Sequence, residues 1–237
     1  LRQFTPYARE FVEPPPVRAV QFGDNRLEIL FTRPAPMPPA GWTTVDGGQS
    51  WTHALEDDPL VETSRQLVTP ALATIGVRDD EDGDEVLLDL ETAARIALVG
   101  DREAALGLAR SITLELAAHG LGVPMDVCLI GLHVDASDLC DRVWTNTTIQ
   151  RAVSVARQML ELHRGEGAIS MTSSRAALDD DDGEHDPQVF VIDTASLSTE
   201  ELGLLDELMP LCEPSIGNVA LLVGDHPEAI ERIDLDG

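Results

Sequence analysis

The chain contains no lysine among its 237 residues. All 16 basic residues are arginine and 43 residues are acidic, giving a formal net charge of −27. A field of that sign repels DNA, RNA and anionic lipid surfaces, so nucleic acid and direct membrane contact are not expected of this segment. GC-rich coding, which favours Arg and Ala codons, explains the missing lysine as well as any function does. Aromatic residues make up only 4 %, so a core must come from Leu, Val, Ile and Ala. Cysteine is scarce and spread out, at Cys128, Cys140 and Cys212. That spacing excludes a disulfide framework and a CxxC metal pair, and a reducing compartment follows most simply. No apolar run is long enough to span a membrane, and none has the pattern of a signal peptide. The chain starts at Leu1 without an initiator methionine, which suggests an excised segment of a longer protein.

The residues that are present organise around Glu85–Gly120. Val86–Leu90 and Ile96–Val99 are short apolar runs of strand type. Gly100 and Asp101 then open a helix with Ala105, Leu108, Ala109, Ile112 and Leu116 on one stripe, ending near Ala118. Asp101 is a suitable N-cap. A buried strand that feeds a helix through glycine is where many α/β proteins cradle a phosphate.

Upstream, residues 1–16 form a linker ending in three prolines. Residues 17–90 are rich in hairpins. Val17–Phe22 pairs with Leu27–Phe31 across Gly23-Asp24-Asn25. After four prolines in 34–39, the Trp42–Val45 segment pairs with Trp51–His53. Residues 70–77 pair with Val86–Leu90, and 59–67 suggest a short helix. Trp42 and Trp51 stand close enough to pair across strands. They are either an aromatic platform for a carbohydrate or peptide, or a cover over the core.

Residues 91–237 alternate strand and helix. Met125–Gly131, Gln188–Asp193 and Val219–Gly224 are continuously apolar, hence buried on both faces in a parallel sheet. Thr147-x-x-Gln150 and Ser198-x-x-Glu201 are capping-box patterns. Residues 173–187, with Asp179–Asp182, are expected to form a mobile acidic loop without the ligand spacing of a calcium site. Pro227 suits the first turn of a closing helix. The expected fold class is α/β, a three-layer sandwich with a mainly parallel central sheet and an N-terminal antiparallel β-hairpin extension. Residues 17–237 make one domain.

The chemistry is thin. Started at Gly100, the phosphate-loop pattern G-x-x-x-x-G-K-[ST] requires Gly at 105, then Lys, then Ser or Thr. The sequence has Ala105, Leu106 and Gly107. Asp101 and Glu103 add negative charge where an anion would sit. Asp193 ends an apolar strand, in the place of an acid that holds magnesium beside a nucleotide. Gly100, Asp101, Arg102 and Asp193 are therefore the candidate nucleotide-binding residues, with Arg102 or Arg110 as a lysine substitute. No G-x-S-x-G elbow, G-x-G-x-x-G fingerprint or metal-type histidine spacing is present. No catalytic residue, metal or cofactor is expected.

The order strand–Gly–helix (95–118), strand (125–131), capped helix (147–162), strand–Asp (188–193), helix (198–209), strand (218–223) resembles FtsK/SpoIIIE-type P-loop ATPase cores. Leu87–Glu91 followed by Ile96–Asp101 is similar to the middle region of large proteins from high-GC Gram-positive bacteria. Those proteins combine transmembrane helices, a LysM peptidoglycan-binding module and a C-terminal bacterial transcriptional activator domain. The resemblance covers residues 17–225. It implies a cytoplasmic module of a membrane-tethered regulator with a degenerate nucleotide loop. Its partners would be another protein or other domains of the parent chain.

Overall fold

Long apolar runs with no polar alternation must be covered on both faces, and four strands of this chain meet that condition. A computed structural model of the protein describes residues 15–23, 25–55, 71–79, 83–118, 125–134, 141–165, 186–214 and 216–235. Its parallel sheet contains β7 (Arg95–Val99), β8 (Asp126–Ile130), β9 (Val143–Trp144), β10 (Gln188–Asp193), β11 (Asn218–Val223) and β12 (Glu231–Asp234). The spatial order is β12-β7-β11-β10-β8-β9. Every residue of β10 and β11 is buried. Their register sets Asp193 beside Val223, and Val223 beside Leu98.

Helix α2 (Arg102–Ala117) covers one face through Ala105, Ala109, Ile112 and Leu116. Helices α3 (Ile149–Gly165) and α4 (Thr199–Leu208) cover the other through Ile149, Ala152, Val153, Ala156, Leu205 and Leu208. The chain steps from β7 outward to β8 on the α2 face. It returns to β10 and β11 on the opposite face. Right-handed crossovers that run in opposite directions across a sheet must use opposite faces. The reversal leaves a crevice at the carboxyl ends of β7, β11 and β10, the usual place for a ligand in such sheets.

The three expected hairpins are present and join into a sheet of their own. Its strands are β1 (Val17–Phe22), β2 (Arg26–Phe31), β3 (Thr43–Val45), β4 (Ser50–Ala54), β5 (Leu72–Val77) and β6 (Glu85–Asp89), in the order β3-β4-β2-β1-β6-β5. One side encloses Val20, Leu27, Ile29, Phe31, Trp42 and Trp51. Ala73 and Leu88 on this sheet join the cluster around α2, so α2 lies between the two sheets. Glu115 of α2 accepts from Thr74 N (2.9 Å) and Thr74 Oγ1 (3.0 Å), which occupies a backbone donor on the edge strand β5. A short helix, α1 (Leu90–Ala93), carries the chain from β6 to β7. The α/β class, the parallel sheet and the antiparallel extension match the sequence expectation.

Three local expectations change. Residues after Pro227 form no closing helix. Instead Glu231–Asp234 alternates in exposure and adds to β7 as the parallel edge strand β12. The unpaired edge of β7 offers hydrogen bonds that an isolated short helix would lack. The cap of α3 is Thr148 rather than Thr147, since Thr148 Oγ1 accepts from Arg151 N at 3.3 Å while Thr147 Oγ1 donates to Trp144 O at 3.1 Å. Asp186 and Pro187, expected at the end of the acidic loop, are buried, and Asp186 accepts from Arg142 at 2.9 Å. The expected helix at 59–67, linker residues 1–14 and loop residues 173–185 lie outside the described residues.

Candidate functional site at the strand ends

A loop that wraps a phosphate must be long enough to surround it. Here β7 ends at Val99 and α2 begins at Arg102. Only Gly100 and Asp101 lie between, where the phosphate-loop pattern places six residues before its lysine. Gly100 makes the turn at φ 95°. Asp101 Oδ1 accepts from Ala104 N at 2.8 Å, so the first turn of α2 is capped by its own carboxylate. Ala105 is buried in the apolar cluster and Leu106 packs against it. These residues occupy the positions of the pattern's second glycine and lysine.

Across the crevice, Arg102 Nη2 donates to Asp193 Oδ2 at 2.7 Å. The arginine side chain is half-exposed and the carboxylate is buried. Asp193 Oδ1 accepts from Ala195 N at 3.3 Å. Both carboxylate oxygens that could face a metal ion therefore have protein partners. Arg110, eight residues further along α2, lies about 12 Å along the axis from Arg102. It is exposed and stands well away from the loop.

The turn Thr194–Ser196 closes the remaining strand ends. Thr194 Oγ1 donates to Val223 O at 2.9 Å, and Ser196 Oγ donates to Asp193 O at 2.7 Å. Two glycines make room for these hydroxyls. A methyl at Gly131, after β8, would lie 1.8 Å from Ser196 Oγ, and one at Gly224, after β11, would lie 2.2 Å from Thr194 Oγ1. Both glycines have positive φ, at 74° and 123°. The sequence shows Gly131 and Gly224 as the ends of apolar strands but not their pairing with Ser196 and Thr194. Each contact joins residues on different strands, and no local pattern encodes it.

Charge at these ends is mostly negative, from Asp101, Glu103, Asp193 and Asp225, with Arg102 and Arg232 as counter-charges. Arg232 Nε donates to Asp225 Oδ1 at 2.9 Å, and with the His226 amide it holds that carboxyl below its ordinary range. His226 is buried, with Nε2 3.1 Å from Asp206 Oδ1 and Nδ1 accepting from Glu228 N. The second ring nitrogen is thus an acceptor, and the first donates to Asp206. Among the described residues, no group of three or more His, Cys, Asp or Glu is placed to hold a metal ion. Cys128 and Cys212 are buried, and burial pushes their thiols up to about 11 and about 12, away from nucleophilic use.

The tryptophan platform does not exist as a surface. Trp51 is fully buried and Trp42 nearly so, their rings 6.5 Å apart and edge-on inside the antiparallel sheet's core. Low aromatic content leaves these two as the largest core-fillers available, and burial claims them.

Strand order, crossover pattern and the glycine turn after β7 define an α/β fold of the P-loop NTPase type. Among solved structures, the cytoplasmic domain of the Thermomonospora curvata type VII secretion ATPase EccC matches with a TM-score of 0.54 and 16 % identity, over 85 % of this chain and 26 % of that one. A structure of ATPases 2 and 3 of the same EccC, in complex with a signal sequence peptide, matches with a TM-score of 0.50 and 16 % identity, over 83 % of this chain and 38 % of that one. At that identity the likeness concerns the fold. This chain spans well under half the length of either. No family model matches, and no curated protein matches. No helix among the described residues is long and apolar enough to cross a membrane.

Proposed function

We propose that this chain is a non-catalytic interaction or regulatory module of a larger, membrane-tethered bacterial protein, built on an ATPase-like scaffold whose nucleotide site is filled by its own side chains. The observation that carries this reading is the 2.7 Å bond between Arg102 and Asp193. A nucleotide-binding protein keeps a cation for phosphate and a carboxylate for magnesium. Here the nearest cation and that carboxylate are spent on each other. The two-residue link between β7 and α2 adds support, because it leaves no loop to wrap a phosphate.

The larger parent is supported by the multi-ATPase chains this fold matches over a minor part of their length. The narrower likeness to LysM-containing transcriptional regulators rests on the phrases at 87–91 and 96–101 alone. In this reading the partner is a protein or another domain of the parent chain, in the cytoplasm.

Phosphate release with magnesium-ATP tests the reading. Release should stay at buffer background for the wild type and for Arg102→Ala. Release above background that Arg102→Ala abolishes would instead make Arg102 a phosphate-holding residue of a working NTPase.

A further inference from the structure

The stretch Arg33–Pro39 takes no part in the crevice. Four of its residues are proline, and each of the other three precedes one. Proline fixes φ near −65°, and the residue before it is pushed out of the helical region. Local sterics therefore fix φ at the four prolines and keep Arg33, Ala35, Met37 and Pro38 out of the helical region, which favours the extended polyproline range with its three residues per turn. Exposure follows that period. Arg33 and Pro34 are exposed, Ala35 half-buried, Pro36 and Met37 exposed, and Pro38 half-buried, up to Pro39, which is also half-buried where the chain turns toward Trp42.

One face of the segment is fixed to the antiparallel sheet. Ala35 N donates to Gly48 O at 2.7 Å, Trp51 Nε1 donates to Ala35 O, and Trp42 N donates to Pro39 O at 3.2 Å. The approach is close enough that a methyl on Gly48 (φ 95°) would stand 2.6 Å from Ala35 C and 2.7 Å from Pro36 N. The outward faces carry Pro34, Pro36 and Met37, the last 76 % exposed.

We propose that Arg33–Pro39 is a recognition segment of P-x-x-P type, held ready for the aromatic-lined groove of a polyproline-binding partner domain. Its chemistry selects that partner. Only Arg33, Ala35 and Met37 carry an amide N–H, and that of Ala35 is bonded to Gly48 O. The proline-rich ridge thus presents mainly carbonyl acceptors and flat pyrrolidine rings. Trp and Tyr in a groove supply both the flat apolar plates and the N–H and O–H donors that such a ridge needs. Arg33, three residues before Pro36, matches a carboxylate at one end of the groove. Both ends being held, little conformational entropy remains to be lost on docking. The inference deepens the interaction-module reading by naming a partner class. It fails or stands on a different surface from the nucleotide question.

The test uses a purified SH3 domain selected for R-x-x-P-x-x-P ligands, titrated with the folded chain by calorimetry and followed on ¹⁵N-labelled chain. Saturable one-to-one binding is expected, with shifts at the Met37, Ala40 and Gly41 amides. The double variant Pro36→Ala/Pro39→Ala should weaken it at least about tenfold, with the fold retained in its ¹⁵N spectrum and only a small fall in melting temperature from the freer unfolded chain. Gly48→Ala, which lifts the segment from its seat, should bind more weakly than wild type. Equal affinity for wild type and the proline variant overturns the proposal. So does an absence of binding by the folded chain when the free 33–39 peptide binds.

Discussion

Arg102 at the start of α2 and Asp193 at the end of β10 are 91 residues apart in sequence and joined at 2.7 Å in the fold. The pair spans the carboxyl end of β11, which lies between β7 and β10. Removing one partner leaves the buried carboxylate with a single amide donor. Because Arg102 is half-exposed, the cost falls below that of a fully buried pair. Arg102→Ala should destabilise the protein by about 1–2 kcal/mol, lowering Tm by roughly 2–8 °C for a chain of this size. Arg102→Ala/Asp193→Asn should recover part of the loss, and a double-mutant cycle by chemical denaturation reads the coupling. Additive effects would mean that the two side chains do not interact.

The turn over the strand ends gives a second prediction. Gly224→Ala puts a methyl against Thr194 Oγ1 and forces alanine to φ 123°. The expected loss is about 1–3 kcal/mol. Thr194→Ala in the same chain removes the clashing hydroxyl and should restore part of that loss, leaving the backbone share. Thermal unfolding of the wild type and the two variants separates the two contributions. If the double variant is no more stable than Gly224→Ala alone, the packing described at this end is wrong.

Much of this was legible in the sequence, and the reasons differ by element. β10 and β11 are six-residue apolar runs, and only a doubly covered sheet accepts such runs, so they announce themselves. Asp101 and Ser198 cap helices whose apolar stripe begins beside them, so local chemistry suffices; Ser198 and Glu201 do form the full box. Thr147 and Thr148 are adjacent and chemically equal, and which one caps α3 depends on where Trp144 sits. β12 was misread because Pro227 carries a helix signal, while the free edge of β7 is a tertiary fact. The candidate residues Gly100, Asp101, Arg102 and Asp193 were found by position in the pattern. Their mutual engagement was not, because the topology alone brings Arg102 to Asp193.

Asp89 sets a pH dependence. It is buried at the end of β6, where desolvation, with Glu91 adding like charge, raises its pKa to about 7 from 3.8. Its oxygens accept from Glu91 N (3.2 Å) and Thr92 Oγ1 (3.0 Å). The folded protein keeps this proton to about pH 7, whereas the unfolded chain releases it near 3.8. Stability from this group is full below about pH 4 and is lost as pH rises through about 7, in total on the order of a few kcal/mol. Asp89→Asn retains an acceptor for Glu91 N and reverses the bond to Thr92. Relative to wild type, it should gain stability from about pH 4 to about pH 7 and level off above that in urea titrations. A constant difference across that range would contradict the assignment.

Glu115 is predicted to protect the edge of the antiparallel sheet. With Glu115→Ala, Thr74 N loses its acceptor and the buried side of β5 loses a charge-assisted bond, at about 1–2 kcal/mol. Amide exchange at Thr74 should accelerate by more than that of its neighbours on β5, and Glu115→Gln should largely preserve protection. Equal acceleration along the whole strand would indicate general loosening instead.

The most direct measurement is isothermal titration of the wild-type chain with ATP, ADP and GTP in the presence of magnesium. A crevice whose carboxylate is bonded to Arg102, whose first helical turn is capped by Asp101 and whose linking loop is two residues long should give no binding heat with any of them. Saturable binding at micromolar affinity would contradict the account and return this chain to the nucleotide-binding members of its fold.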